Sequence, residues 1–214
     1  MASFMISSRR RLNGHSTLYI STKINMRKII SFMHMSLDGF VAGLNGEIDW
    51  VKVDQEIFDY VGKRIGEGDT ALYGRVTYQM MEDYWPTAGE KPTATKHDIE
   101  HSQWYNKVRK IVLSETIKDV RQSNTKVING NLSESIGEIK QHAGKDILLF
   151  GSPTATHSLI KLGLIDGYWL FVNPIILGRG IPLFTEIDDK IGLKLLNTHQ
   201  FACGVTELNY VLDK

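Results

Sequence analysis

The sequence predicts an α/β protein: one mixed, mostly parallel eight-stranded sheet with helices on both faces, a three-layer sandwich. Short β-rich runs alternate with segments of helical spacing along most of the chain. Strands separated by helices imply right-handed parallel crossovers. The last two runs are instead joined by a Cys203-Gly204 turn, which adds an antiparallel edge. With 42% hydrophobic and 23% charged residues in 214, one domain with one sizeable core is expected.

Residues 1–25 carry Arg9, Arg10, Arg11, Lys23 and several serines but no acidic residue. That composition suits an import presequence or a disordered extension. The folded domain is expected over residues 26–214, because Met26 opens the first strand, Lys28 to His34. Asp38-Gly39 and Asn45-Gly46 mark turns in a long connection. Val53, Ile57, Phe58, Val61 and Ile65 then fall at helical spacing, stopped by Gly66 and Gly68. Thr70 to Tyr73 is a short strand, and Gly74 opens a second helix. Tyr84, Trp85 and Pro86 read as packing aromatics and a proline after that helix, and Gly89 to His101 as a polar connection. Val108 to Leu113 and Thr125 to Ile128 are strands. Asn131 with Glu134 resembles a capping box for a helix through Ile136 and Ile139. Strand Asp146 to Phe150, helix Pro153 to Leu162 and strand Tyr168 to Ile176 follow, and strands Leu193 to Phe201 and Val205 to Leu212 close the chain.

Charge and composition exclude several functions. The chain carries 25 basic and 24 acidic side chains, so no net field attracts nucleic acid or an anionic membrane. No apolar run approaches the roughly 20 residues needed to cross a bilayer. A lone Cys203 suits a reducing cytoplasm, and the sequon-like Asn131-Leu132-Ser133 has no secretory context.

Three strand-to-helix junctions can carry chemistry. Leu72-Tyr73-Gly74-Arg75-Val76-Thr77 ends a strand in glycine and starts a helix with arginine and threonine nearby. Glycine lets the backbone approach a ligand, the helix N-terminus offers free N–H groups, and Arg75 adds a bidentate cation for phosphate. Leu149-Phe150-Gly151-Ser152-Pro153-Thr154 repeats the arrangement, with Ser152 expected as N-cap and Pro153 as first helical residue. Ser114 sits at the end of the Val108 to Leu113 strand. In open α/β sheets ligands bind outside such strand ends. A structural role for each junction, as tight turn, cap or surface charge, is the competing reading. No G-x-G-x-x-G or P-loop motif is present.

Six ordered motifs carry a family resemblance: Ser36-Leu37-Asp38-Gly39-Phe40, Leu72 to Tyr78, Tyr84-Trp85-Pro86, Phe150-Gly151-Ser152, Gly163-Leu164-Ile165-Asp166, and Pro174 to Phe184. Over about residues 27 to 213 they resemble the dihydrofolate-reductase-like superfamily. The particular branch holds the reductase domain of the bifunctional riboflavin-biosynthesis deaminase-reductase. The resemblance implies a dihydrofolate-reductase-like fold, NADPH as hydride donor for a small-molecule substrate, and often a homodimer. It also implies that Gly74, Arg75 and Thr77 hold the adenosine side, with Arg75 on the 2′-phosphate and Ser114 beside it. Gly151, Ser152, Pro153 and Thr154 would bind the pyrophosphate, while Asp38 and Trp50 border the nicotinamide and substrate. Hydride transfer is the nicotinamide's chemistry.

Departures from the pattern bear on the substrate. Folate-reducing members place an acidic residue five positions after the tryptophan, but five after Trp50 is Gln55, flanked by Asp54 and Glu56. Asp54 is retained as a candidate catalytic carboxylate, although one residue on a helix rotates it by about 100°. The basic set for a ribose phosphate and the attached zinc deaminase domain are not evident. The expected activity is therefore a reductase of the 5-amino-6-(5-phosphoribosylamino)uracil type or one acting on a related heterocycle or carbonyl compound. Dihydrofolate reduction and a catalytically silent nucleotide-binding protein are the alternatives. His97-Asp98-Ile99-Glu100-His101 fits the inverted zincin pattern H-x-x-E-H, so a zinc metallopeptidase is a hypothesis of another class. No third metal ligand is evident downstream. No metal is expected.

Overall fold

In the computed structural model, residues 26–118, 120 and 122–213 are described; the expected extension over residues 1–25 lies outside them. The elements in chain order are β1 (Ile29–Ser36), β2 (Phe40–Ala42), α1 (Gln55–Ile65), β3 (Gly68–Gly74), α2 (Arg75–Ala88), α3 (Lys96–Lys107), β4 (Arg109–Leu113) and β5 (Thr125–Ile128). There follow α4 (Leu132–Gln141), β6 (Asp146–Phe150), α5 (Pro153–Lys161), β7 (Gly167–Asn173), β8 (Ile181–Pro182), β9 (Leu193–Gln200) and β10 (Thr206–Leu212).

Eight strands form one sheet in the order β5-β4-β3-β6-β1-β7-β10-β9. The run from β5 to β7 is parallel, and β10 joins antiparallel to β7 and to β9. Successive strand residues face opposite sides. Leu72, Ile147 and Leu149 look toward α4 and α5, where Ile136, Ile139, Ala155 and Leu159 cover them. Ala71, Leu148 and Phe150 look toward α1, α2 and α3, meeting Ile57, Val61, Ile65, Tyr78 and Tyr105. This is the expected three-layer sandwich, a mixed, mostly parallel sheet covered by helices on both faces. Arg64 crosses from α1 to the sheet, its guanidinium 4.3 Å above the Trp169 ring and 3.2 Å from the buried Glu207 carboxylate. Burial raises the Glu207 carboxyl above its ordinary range, and Arg64 pulls it back only in part.

Several local expectations are corrected. The polar connection Gly89 to His101 contains the start of α3, capped by Thr95, whose side chain and that of Asp98 satisfy each other's backbone amides. Tyr84, Trp85 and Pro86 lie within α2, not after it. The β7 strand stops at Asn173, short of Ile176, because Pro174 supplies no N–H for another ladder bond. The short β2 and β8 strands pair across the mouth of the long connection, Phe40 opposite Pro182.

Candidate cofactor and substrate cleft

Strands β3 and β6 are neighbours in register, Leu72 beside Leu149, so Gly74 and Gly151 end them at one level. Their helices leave toward opposite faces, α2 against one core and α5 against the other. A crevice opens where neighbouring crossovers diverge this way. Ser152 ties its two lips together: its hydroxyl accepts from the Gly74 amide at 2.8 Å and donates to the Phe150 carbonyl at 2.8 Å. The expectation of a side-chain N-cap is thus corrected, since no side-chain capping bond forms on α5 and the hydroxyl is committed to the loop before it. Gly151 and Ser152 both adopt positive φ, 51° and 60°, which turns the chain sharply into Pro153 at the start of α5. A Cβ on Gly151 would lie 3.6 Å from Thr77, so the two loops are in contact.

The helix N-termini at this crevice carry no acidic residue in the first turn and no side-chain cap. Their free amide ends and dipoles favour an anion. Arg75 is exposed, with its guanidinium 3.1 Å from Gln79, and Thr154 is exposed on the α5 side. Ser114 follows Leu113, the register partner of Gly74, and accepts from the amides of Thr116 and Ile117 at 3.2 and 3.0 Å. All eight candidate cofactor residues therefore lie at the ends of three adjacent strands or in the first turns of the helices that follow them.

Asp38, Trp50 and Asp54 are placed differently. Asp38 accepts from Ser36 at 2.7 Å and from the Leu177 and Gly178 amides at 3.1 and 2.8 Å. The Ser36 hydroxyl, then these amides, hold its carboxyl below the ordinary value. Asp38 fastens the turn after β1 to the loop after β7. Trp50 is half-buried and donates to the Glu47 carbonyl at 3.2 Å. Asp54 caps α1, accepting from the Ile57 amide at 2.9 Å. No hydrogen bond joins these three among the described residues.

Asn173 escaped the sequence reading. Fully buried at the end of β7, it donates to the Phe171 and Met35 carbonyls and accepts from the Lys52 amide at 2.8 Å. Beside it, His34 stacks on Phe171 at 4.9 Å, and burial lowers its pKa to about 4, so the ring is neutral at neutral pH. A polar residue between the apolar run of β7 and a proline was the available signal.

On α3, His97 stacks on Phe58 at 3.8 Å, and His101 packs against Trp85 at 4.0 Å with the rings tilted by 42°. No cluster of three or more metal-binding side chains occurs among the described residues. A groove of about 590 Å³ runs between α1 and α3 past Phe58, His97, His101 and Trp104.

The sheet order defines a protein of dihydrofolate-reductase-like fold, with a candidate site at its strand ends. The RibD C-terminal domain pattern matches residues 27–206, and the chain belongs to that family. It is 33% identical over 195 residues to the Bacillus subtilis protein YyaP, spanning 89% of this chain and 98% of that one. Among solved structures it resembles a pyrimidine reductase-like protein from Corynebacterium diphtheriae, at 18% identity and TM-score 0.60, over 89% of this chain and 94% of the other. The deaminase/5-amino-6-(5-phosphoribosylamino)uracil reductase of Thermotoga maritima matches at 14% identity and TM-score 0.62, over 87% of this chain but 57% of that longer one. Dihydrofolate reductase from Enterococcus faecalis, complexed with NADP(H), matches at 15% identity and TM-score 0.56, over 87% of this chain and 97% of that one. Among the described residues no helix is long and apolar enough to cross a membrane.

Proposed function

We propose that this chain is an NADPH-dependent reductase acting on a small molecule. The observation that carries the reading is the crevice where two uncapped helix N-termini meet across the Gly74–Ser152 hydrogen bond. There the amides after Gly74 and Gly151, with Pro153 and Thr154, would cradle the pyrophosphate, and Arg75, Thr77 and Ser114 would hold the 2′-phosphate side. Ser152 acts by positioning, since its hydroxyl is already bonded twice. When bound, NADPH supplies the hydride; the protein aligns it and excludes water. Asp38 and Trp50 would frame the nicotinamide end.

Dihydrofolate is disfavoured as substrate. The position five after Trp50 is the amide Gln55, and the neighbouring Asp54 is turned to the Ile57 amide as the N-cap of α1. A substrate related to that of the riboflavin-pathway reductases, or another heterocycle or carbonyl compound, fits the family better. A homodimer is part of the same reading: Leu193 and Leu195 on the edge strand β9, with Ile187 and Ile191 before it, are exposed apolar side chains that a second copy would cover. Light scattering would report the mass.

The deciding experiment is titration with NADPH and with NADH. Arg75→Ala should weaken NADPH by roughly 1.5–3 kcal/mol, the range for a charge-assisted hydrogen bond, and leave NADH nearly unchanged. Equal weakening of both removes Arg75 from the 2′-phosphate. Binding without NADPH oxidation by any tested acceptor would favour a silent nucleotide-binding protein.

A further inference from the structure

We infer that His34 donates a hydrogen bond from its Nε2–H to the oxygen or nitrogen of the substrate bond being reduced, and that Asn173 holds the ring in that form. The inference rests on the cofactor lying across the strand ends as proposed above.

Sheet order places the residue. From Ser114 after β4 and Gly74 on β3 the junctions run to Gly151 after β6, and the next strand in line is β1. A dinucleotide with its adenosine at β4 and β3 and its pyrophosphate at β6 therefore carries its nicotinamide over β1. There β1 outruns its neighbour. Its pairing with β6 ends at Phe32 opposite Phe150, the Gly151 amide closes on the Phe32 carbonyl at 3.0 Å, and β1 continues to Ser36. At about 3.3 Å per residue, His34 stands roughly 7 Å beyond Phe32. It shares the face of Phe32 and Phe150, whereas α5 leaves Gly151 toward the other face.

Of the four residues from Met33 to Ser36, only His34 has a polar side-chain hydrogen to spare. Met33 and Met35 turn to the opposite core and carry none. The Ser36 hydroxyl already donates to Asp38 at 2.7 Å, besides accepting from the Phe40 amide at 2.9 Å. His34 is half-buried and stacked on Phe171, with its Nδ1 3.4 Å from the Asn173 side-chain nitrogen. That nitrogen can only donate: it faces the Phe171 and Met35 carbonyls, and the Asn173 oxygen accepts from the Lys52 amide at 2.8 Å. A proton on Nδ1 would oppose it, so the neutral ring carries its proton on Nε2. Nε2 makes no hydrogen bond among the described residues. Burial keeps the ring neutral, with a pKa of about 4.

A neutral N–H suits the chemistry. As hydride passes from NADPH to the carbon of a C=O or C=N bond, the π pair moves onto the heteroatom. The Nε2–H stabilises that growing charge and keeps its own proton, since a neutral imidazole is a far weaker acid than an imidazolium. Water supplies the proton that completes the O–H or N–H, leaving hydroxide, and NADP⁺ departs.

NMR of the full chain labelled at the histidine nitrogens tests this, with His34→Phe identifying the resonance. The His34 proton should be found on Nε2 at neutral pH. NADP⁺ should shift that resonance, and ADP-ribose 2′-phosphate, which lacks the nicotinamide, should leave it in place; binding of each is measured separately by titration. With phenanthrenequinone as acceptor, His34→Phe should lose at least about tenfold in kcat with NADPH affinity unchanged, and His34→Gln, which keeps an N–H, should lose less. A proton on Nδ1, a resonance that bound NADP⁺ leaves unmoved, or equal kcat for His34→Phe and the parent protein overturns the inference. Failure of NADP⁺ to bind would overturn the cofactor reading and this inference with it, whereas binding without a shift overturns the inference alone.

Discussion

Ser152→Ala removes one oxygen from the hinge of the crevice. That oxygen is buried, with Ser152 5% exposed, and serves two partners at 2.8 Å each. Deleting it leaves the Gly74 amide without an acceptor and takes a donor from the Phe150 carbonyl. Orphaning a buried polar group costs about 1–3 kcal/mol, so the two together cost on the order of 2–4 kcal/mol, Gly74 being partly reached by water. For a chain of this size, with roughly 2–4 °C lost per kcal/mol, the melting temperature should fall by roughly 4–16 °C. Thermal unfolding by circular dichroism measures this, and NADPH titration should show weaker binding as the two lips separate. Ser152→Gly is the control, since glycine adopts φ near 60° without strain yet restores no hydrogen bond. It should remain clearly destabilised. Melting of both variants within about 1 °C of the parent protein would refute the claim that this hydroxyl joins the loops.

Three other outcomes follow from the geometry. Gly151→Ala places a side chain at φ 51° and should lose roughly 1–2 kcal/mol in urea unfolding, with Gly151→Asn losing less because asparagine tolerates that region. Arg64→Met strands the buried Glu207 carboxylate and should cost about 3–5 kcal/mol, mostly recovered by adding Glu207→Leu. Because burial raises the Glu207 carboxyl, the folded state holds its proton longer than the unfolded chain, so this variant should lose stability as pH rises above the ordinary carboxylate range. His101 runs the other way: the unfolded chain takes a proton near pH 6.5 and the folded chain only near 3, so acidification across that window favours unfolding. His101→Phe should flatten that part of the pH–stability curve, with the remaining slope shared by His34, His97 and the carboxylates held below their ordinary range, Asp38 among them.

The eight main strands were legible because each is a short apolar run between turn residues, and the junctions at Gly74 and Gly151 because strand-to-helix punctuation is local. The α3 helix was not. Its inward positions carry His97, His101, Trp104 and Tyr105, which keep helical spacing yet read as polar when histidine is counted as a charged residue. Counting the imidazoles as rings would have found it. Ser152 was assigned to its own helix because capping is the local use of serine, whereas its partners Gly74 and Phe150 include one supplied by another strand. Asn173 was hidden for the same reason: its acceptor role is filled by Lys52, 121 positions away.

That last contact shapes how the long connection between β1 and α1 can breathe. The segment is pinned near one end by Asp38 and by the Leu183 amide on the Gly39 carbonyl, and near the other by the Lys52 amide on Asn173. With β2 paired to β8, only the stretch 43–51 is left to fluctuate, and each halving of a loop lowers its closure entropy by about 0.6 kcal/mol. Amide hydrogen exchange should therefore be slow at Lys52 and faster a few residues before it, at the exposed Leu44 and Ile48, and trypsin should cut the native chain after Lys52 only when the Asn173 anchor opens.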